Sequence, residues 1–141
     1  MKAYGIYPML LLLSISLLFT GCGGGKYADA KKVSEEYIDI TDDYITSLDK
    51  ANSAEDVVKA INTFSDKMEK LIPKMKKIQE KYPDLNNTDT LPKELVETQK
   101  KAEELSQKVA GSMMKMMNYM SDPKVQEAQQ HMTNTMMNLQ N

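Results

Sequence analysis

After Lys26, apolar residues recur at the three- and four-residue spacing of amphipathic helices, in four successive stretches. Alternating β-branched runs and hairpin dipeptides between apolar segments are missing from the sequence, so nothing predicts strands. The first helix is predicted from about Ala28 to Lys50. Its apolar stripe consists of Val33, Tyr37, Ile40, Tyr44 and Leu48, with Ile38 and Ile45 alongside.

The second stretch has the most regular pattern in the chain. Ser53, with Asp56 three residues later, predicts an N-cap that resembles a capping box. The apolar positions that follow alternate intervals of four and three residues, the heptad seam of a coiled coil. They are Val57, Ile61, Phe64, Met68, Leu71, Met75, Ile78 and Tyr82. Pro73 predicts a kink near residues 69–73, and Tyr82-Pro83 ends the helix.

A third helix is predicted with Asp89 or Thr90 as its cap and Pro92 in its first turn. It repeats the same spacing at Leu91, Leu95, Thr98, Ala102, Leu105, Val109, Ser112 and Met116. Two seams of matching length joined by a short loop favour antiparallel neighbours. Asp122 and Pro123 predict the start of a shorter helix from about Lys124 to Leu139, which could alternatively continue the third helix with a bend.

The predicted fold is therefore all-α: an antiparallel bundle of three long helices plus a shorter C-terminal helix, with coiled-coil-like seams. Charge supports the pairing of the first two helices. Residues 27–60 carry nine acidic side chains and four lysines, whereas residues 61–82 carry six lysines and three acids. Facing each other, these surfaces would attract modestly. The alternative is two solvated faces that never meet.

The N-terminal segment has the features of a secretory signal. Lys2 precedes an apolar run of 11 residues, Met9 to Phe19, and small residues follow it. The run is well short of the ~20 residues that cross a bilayer. Residues 1–21 are therefore expected to be removed, and Gly23-Gly24-Gly25 predicts a short tether at residues 22–26 before a single domain at 27–141.

The segment Leu18-Phe19-Thr20-Gly21-Cys22 resembles the lipobox of bacterial lipoproteins. Gly21 is the small residue at the cleavage position, and Phe19 stands where the family usually has Leu. The resemblance implies a covalent diacylglycerol and an N-acyl chain, such as palmitate, on Cys22, and attachment to a membrane through them. Gly23 in place of the inner-membrane retention Asp favours the periplasmic face of the outer membrane in a two-membrane cell. The rest of the chain loosely resembles small helical envelope lipoproteins.

Composition argues against several classes of function. All 18 basic residues are lysine and the net charge is −2, whereas nucleic-acid binders are usually basic and use Arg. Cys22 is the only cysteine, so its acylation leaves no thiol for a disulfide or a nucleophile. The chain has one histidine, and its adjacent acidic pairs diverge by about 100° on a helix. We therefore expect no enzymatic activity and no cofactor.

Methionine is the only residue type with unusual chemistry: eight of the twelve fall between Met113 and Met137. Most lie on apolar stripes, so filling the core is the main interpretation. A second is a groove for a protein partner, lined by Met113, Met116, Met117, Met120, Met132 and Met136. A third is a Cu(I) or Ag(I) site, since thioethers are soft ligands. Its ligands would be Met113, Met114, Met117, His131 and Met137.

These observations predict a non-enzymatic binding or structural module of the cell envelope, held to a membrane by lipidated Cys22. It would act on a protein partner, or on a second copy of itself, through a helix surface or a Met-rich groove. Met114 and Met137 lie off their apolar stripes and His131 lies at the flank of its own. These three residues are the sequence evidence for something beyond core packing.

Overall fold

The computed structural model describes residues 27–83 and 92–138, which form four helices. Helix α1 is Ala28–Lys50, α2 is Ala54–Lys81, α3 is Lys93–Met117 and α4 is Pro123–Met137. No strand occurs in these two segments. The all-helical class and the bundle are therefore confirmed. Predicted positions Leu91, Asp89, Thr90 and Leu139 lie outside the described residues, as do residues 1–26.

The helix ends follow local chemistry. The Ser53 hydroxyl accepts from Asp56 N at 3.1 Å, and Asp56 Oδ2 accepts from Asn52 N at 3.0 Å, so the predicted cap of α2 is confirmed. Helix α2 runs without a break through Pro73 and ends before Tyr82, while a kink at Pro73 stays a prediction. Asp122 caps α4 by accepting from Lys124 N at 2.8 Å.

One boundary prediction needs correction, whereas the separate final helix is confirmed. Pro92 is the residue that precedes α3 and not a member of its first turn, and no side chain of residues 27–83 or 92–138 caps that end. The final helix is separate from the third, since α3 ends at Met117 and a turn follows before α4 begins. Proline lacks a backbone N–H, so it suits either position at a helix start.

Most of the predicted apolar positions of α2 are buried. Val57, Ile61, Met68 and Leu71 of α2 are almost fully buried, as are Leu95 and Leu105 of α3. The main core joins α1, α2 and α4 with Met116 of α3, and it includes the Tyr44 and Phe64 rings with centroids 4.6 Å apart. Ile38 and Ile45 of α1 pack against Leu105 in a second cluster.

The helices do not pair as the loop length predicted. Helix α1 packs against both α2 and α3, and α2 packs against α4. The expectation that α2 and α3 are principal neighbours is wrong: within the described residues, Leu95 meets Tyr82 near one end, in a cluster with Tyr27 and Ala30 of the α1 end. Loop length limits how far apart two helix ends can be, but it does not choose which face a helix buries.

Three ion pairs join the acidic and basic faces of α1 and α2, so these faces do meet. They are Asp43–Lys67 at 2.6 Å, Glu36–Lys74 at 2.7 Å and Asp29–Lys81 at 2.5 Å. Residue numbers rise by seven along one helix as they fall by seven along the other, which places α1 and α2 in opposite directions. We call these pairs the charge ladder.

The last pair of the charge ladder is also a hydrogen-bond network. Tyr82 Oη donates to Asp29 Oδ1 at 2.8 Å, beside the bond from Lys81. Lys81, together with Tyr82, holds the pKa of Asp29 below its ordinary value. The same contact with Asp29 raises the pKa of Lys81 to about 12.

Candidate functional site: the methionine-rich end of helix α3

The last turns of α3 are fixed to the C-terminal end of α1. The Ser112 hydroxyl donates to Asp49 Oδ1 at 2.9 Å, and Lys115 Nζ donates to the backbone carbonyl of Asp49. One turn earlier, Lys108 lies 3.9 Å from Asp42. The residue numbers of the contacting pairs increase together along both helices, so α1 and α3 run in the same direction.

Met116 is the inner thioether of this region. Its side chain is 3% exposed, and its Sδ accepts from Tyr44 Oη at 3.7 Å and from Gln129 Nε2 at 3.8 Å. Burial raises the pKa of the Tyr44 phenol, so the hydroxyl keeps its proton and remains a donor at neutral pH. One sulfur atom therefore connects α1, α3 and α4.

Met114 and Met117 are the outer thioethers. Their side chains are 71% and 69% exposed, far more than those of Val96 and Met137, the other large apolar side chains exposed in the described part of the chain. Positions three apart share a helix face, so the two sulfurs are neighbours on the surface of α3. We call Met114 and Met117 the thioether pair.

The turn between α3 and α4 is closed by backbone hydrogen bonds. Tyr119 N donates to Met116 O at 2.9 Å, and Asp122 N donates to Tyr119 O at 3.0 Å. From α4, Gln126 Nε2 donates to Met120 O at 2.8 Å. The backbone around the thioether pair is therefore fixed by hydrogen bonds to α1, to α4 and within the turn that follows α3.

The other candidate residues take different positions. Met136 is buried, whereas Met120 and Met132 are half-buried against the main core and Met113 is half-buried. Of the six residues proposed to line a groove, Met117 alone is exposed, and Met116 and Met136 could touch a partner only if the bundle opened. Cys22, the predicted lipid attachment site, lies outside the described residues.

The proposed soft-metal ligands lie on two helices, α3 and α4, and His131 lies away from the flank of α4 that contacts α3. Gln129 reaches Met116, so its flank of α4 lies beside α3. His131 is exposed and is two residues further on, about 200° around the helix from Gln129. Met114 and Met117 are adjacent on α3, and Met137 lies near the end of α4. Within residues 27–83 and 92–138, no three His, Cys, Asp or Glu side chains form a group that could hold a metal ion.

A shallow groove lies between α1 and α2. Ile40, Tyr44, Phe64 and Thr63 contribute to its lining, and the Asp43–Lys67 ion pair borders it. Its volume, about 160 Å³, is below the ~300–1,000 Å³ of typical small-molecule sites. It does not compete with the α3 end as a candidate site.

The sequence missed the Tyr44–Met116–Gln129 contact. The burial of Met116 follows from its seam position, but its two donors come from residues 72 and 13 positions away. Seam spacing identifies a buried face, whereas a hydrogen bond across helices depends on which helices pair.

Comparisons with models of protein families, with curated proteins and with solved structures found no match. Among the residues described, no helix combines the length and apolar character needed to cross a membrane. The functional argument therefore depends on this chain's own residues.

Proposed function

We propose that this chain is a non-enzymatic, lipid-anchored protein of the cell envelope that binds a protein partner through the thioether pair. An antiparallel bundle with coiled-coil-like seams serves as the rigid support. The observation that carries the proposal is the high exposure of Met114 and Met117 on backbone that is fixed to α1 and α4. Flexible thioethers suit adaptable apolar contacts.

The end of α1 that follows Cys22 in the sequence and the proposed contact surface lie at opposite ends of that helix. Cys22 precedes Tyr27, the N-cap residue of α1, by five residues. The thioether pair is beside Asp49 at the other end of α1. A helix of 23 residues is about 34 Å long at ~1.5 Å per residue. We expect an anchor at Cys22 to lie near the start of α1, which leaves the thioether pair, at the far end of that helix, accessible to a partner.

The anchor is tested by growing cells that express the full chain with labelled palmitate. We expect label in the wild-type protein and none in the Cys22→Ser variant, with the protein recovered in the outer-membrane fraction of a two-membrane host. Label that persists in Cys22→Ser, or a wild-type chain that remains soluble after export, would reject lipid attachment at this residue.

The contact surface is tested with a photo-crosslinking amino acid placed at Met117 in the full chain. The matched control carries the same amino acid at Lys59, which is exposed on α2. We expect one defined adduct in cells from position 117 and none from position 59. An adduct of the same kind from both positions, or from neither, would contradict a specific surface at the thioether pair.

A second candidate function is binding of Cu(I) or Ag(I), favoured by the adjacency of Met114 and Met117 on one face. Two thioethers need a third soft ligand, for which Met113 or a residue from α4 would have to move. Calorimetric titration of the full chain with Ag(I) in detergent tests it. The proposal requires binding that is lost in the Met114→Leu/Met117→Leu variant, and equal binding by both proteins ends it.

A further inference from the structure

The end of α3 contains two kinds of thioether within four residues. Met114 and Met117 are about 70% exposed, whereas Met116 is 3% exposed. The same short stretch of helix therefore contains solvent-exposed sulfur atoms and a buried sulfur atom in nearly identical sequence surroundings.

The two kinds also differ in their electron pairs. Met116 Sδ accepts hydrogen bonds from Tyr44 Oη and Gln129 Nε2, which occupy the lone pairs with which sulfur attacks an oxidant. Among residues 27–83 and 92–138, no donor contacts the Sδ atoms of Met114 or Met117. Met68 of the main core is fully buried and offers a second closed reference.

Oxidation changes what an exposed methionine can do. A thioether becomes a polar sulfoxide, and sulfoxide reductases reverse the reaction. Because the α3 backbone here is held by Asp49 and by Gln126, and the two side chains point away from the core, the change at positions 114 and 117 leaves the packing intact. The same change at Met116 would disrupt three helices at once.

We infer that Met114 and Met117 form a modification site at which two-electron oxidants of the hypochlorous acid or peroxide class produce methionine sulfoxide without unfolding the protein. With hydrogen peroxide, a sulfur lone pair attacks one oxygen, the S–O bond forms, the O–O bond breaks, and both hydrogens leave in a water molecule. With hypochlorous acid, the sulfur lone pair takes the chlorine as the Cl–O bond breaks and hydroxide leaves; water or hydroxide then adds to sulfur, chloride is released, and a proton is lost. Sulfur is oxidised by two electrons and the oxidant is reduced by two. This site requires no partner and so goes beyond the proposed function.

The rates are measured on the full chain in detergent, with hypochlorous acid or hydrogen peroxide added in steps and each methionine quantified by peptide mass spectrometry. We expect Met114 and Met117 to be oxidised at least about tenfold faster than Met116 and Met68. The helical circular dichroism signal is expected to stay unchanged until the fast phase is complete. Equal rates for outer and inner methionines, or loss of helix during the fast phase, would overturn the inference.

Two variants separate exposure from local opening. Met114→Leu/Met117→Leu keeps apolar side chains of similar volume, so it should fold normally and lose the fast phase. Tyr44→Phe removes one donor to Met116 Sδ and should raise the oxidation rate of Met116 several-fold relative to Met68. A fast phase that survives the double variant would assign it to other residues. An unchanged Met116 rate in Tyr44→Phe would reject protection by the hydrogen bond.

Enzymatic reduction of the sulfoxides and the binding of a hydrophobic dye provide independent readouts. A sulfoxide reductase with a thiol reductant should return both outer residues to methionine. Binding of a hydrophobic dye should fall on oxidation and recover on reduction, since the sulfoxides are polar. Dye binding that does not change with the oxidation state of positions 114 and 117 would contradict a switchable apolar surface.

Discussion

At the scale of single residues, burial separates methionines as their positions relative to the apolar stripes predict. Met68 is fully buried in the main core, and Met114 is 71% exposed on a fixed helix face. A flexible thioether fills irregular space between packed helices, so its removal leaves a cavity. Removal of a thioether at a solvated position leaves no cavity, because water already surrounds the side chain.

Met68→Ala is expected to lower the free energy of unfolding by about 2–5 kcal/mol, because it removes buried methylene groups and creates a cavity. Met114→Ala, the matched control, should change it by no more than about 0.5 kcal/mol. Urea denaturation followed by circular dichroism measures both. Similar losses in the two variants would mean that Met114 is also packed in solution.

At the scale of elements, helix ends are decided by a few side chains. Ser53 accepts from Asp56 N at the start of α2, and Asp122 does the same for Lys124 N at the start of α4. Both caps were predictable because the acceptor and the donor are two or three residues apart. At the start of α3, Pro92 is the N-cap residue and lies one position before the first turn in which it was predicted.

Ser53→Ala removes the acceptor for one orphan N–H of α2 and should cost about 1 kcal/mol of stability. Ser53→Thr keeps the hydroxyl and is expected to retain most of the wild-type stability. Thermal unfolding of the two variants beside wild type measures the difference. Indistinguishable melting curves for Ala and Thr would show that solvent replaces the cap.

The same cap predicts a pH dependence. The Asn52 backbone N–H, which donates to Asp56 Oδ2, holds the pKa of Asp56 below its ordinary value, with a further contribution from Ser53. A depressed folded-state pKa contributes stability above the unfolded value of about 3.9, and this is lost as pH falls through the folded value.

Unfolding free energies measured between pH 6 and pH 2.5 should therefore decline below about pH 4, the ordinary range of an Asp carboxyl. The decline should be shallower in Asp56→Asn and shallower still when Asp29→Asn is added, since Lys81 lowers the pKa of Asp29. Parallel curves for all three proteins would contradict both assignments.

At the scale of the whole molecule, the charge ladder joins the acidic face of α1 to the basic face of α2 and so helps to set how the two helices align. Its side chains remain well exposed, so each pair is worth about 0.2–1 kcal/mol and weakens with salt. The apolar core supplies most of the stability. The regular seven-residue spacing of the pairs instead favours one alignment of α1 on α2 over others.

Lys74→Glu places like charges together at Glu36 and should destabilise the bundle by about 0.5–1 kcal/mol at low salt. The swap Glu36→Lys/Lys74→Glu should recover most of that loss. Lys70→Glu, at an exposed position of α2 outside the ladder, serves as control. Chemical denaturation with urea at low and high NaCl measures the coupling, and a swap no more stable than the single reversal would argue against the pairing.

The sequence by itself determined which segments are helical, where three of the four helices begin, and which face of each is buried. Periodicity, caps and prolines act within one helix, so they can be recognised without knowing the neighbours. The tertiary structure alone decided that α3 packs along α1 and that Tyr44 and Gln129 enclose Met116, leaving Met114 and Met117 exposed. Those choices depend on how apolar faces of four helices fit together, because every buried stripe can in principle pack on any other.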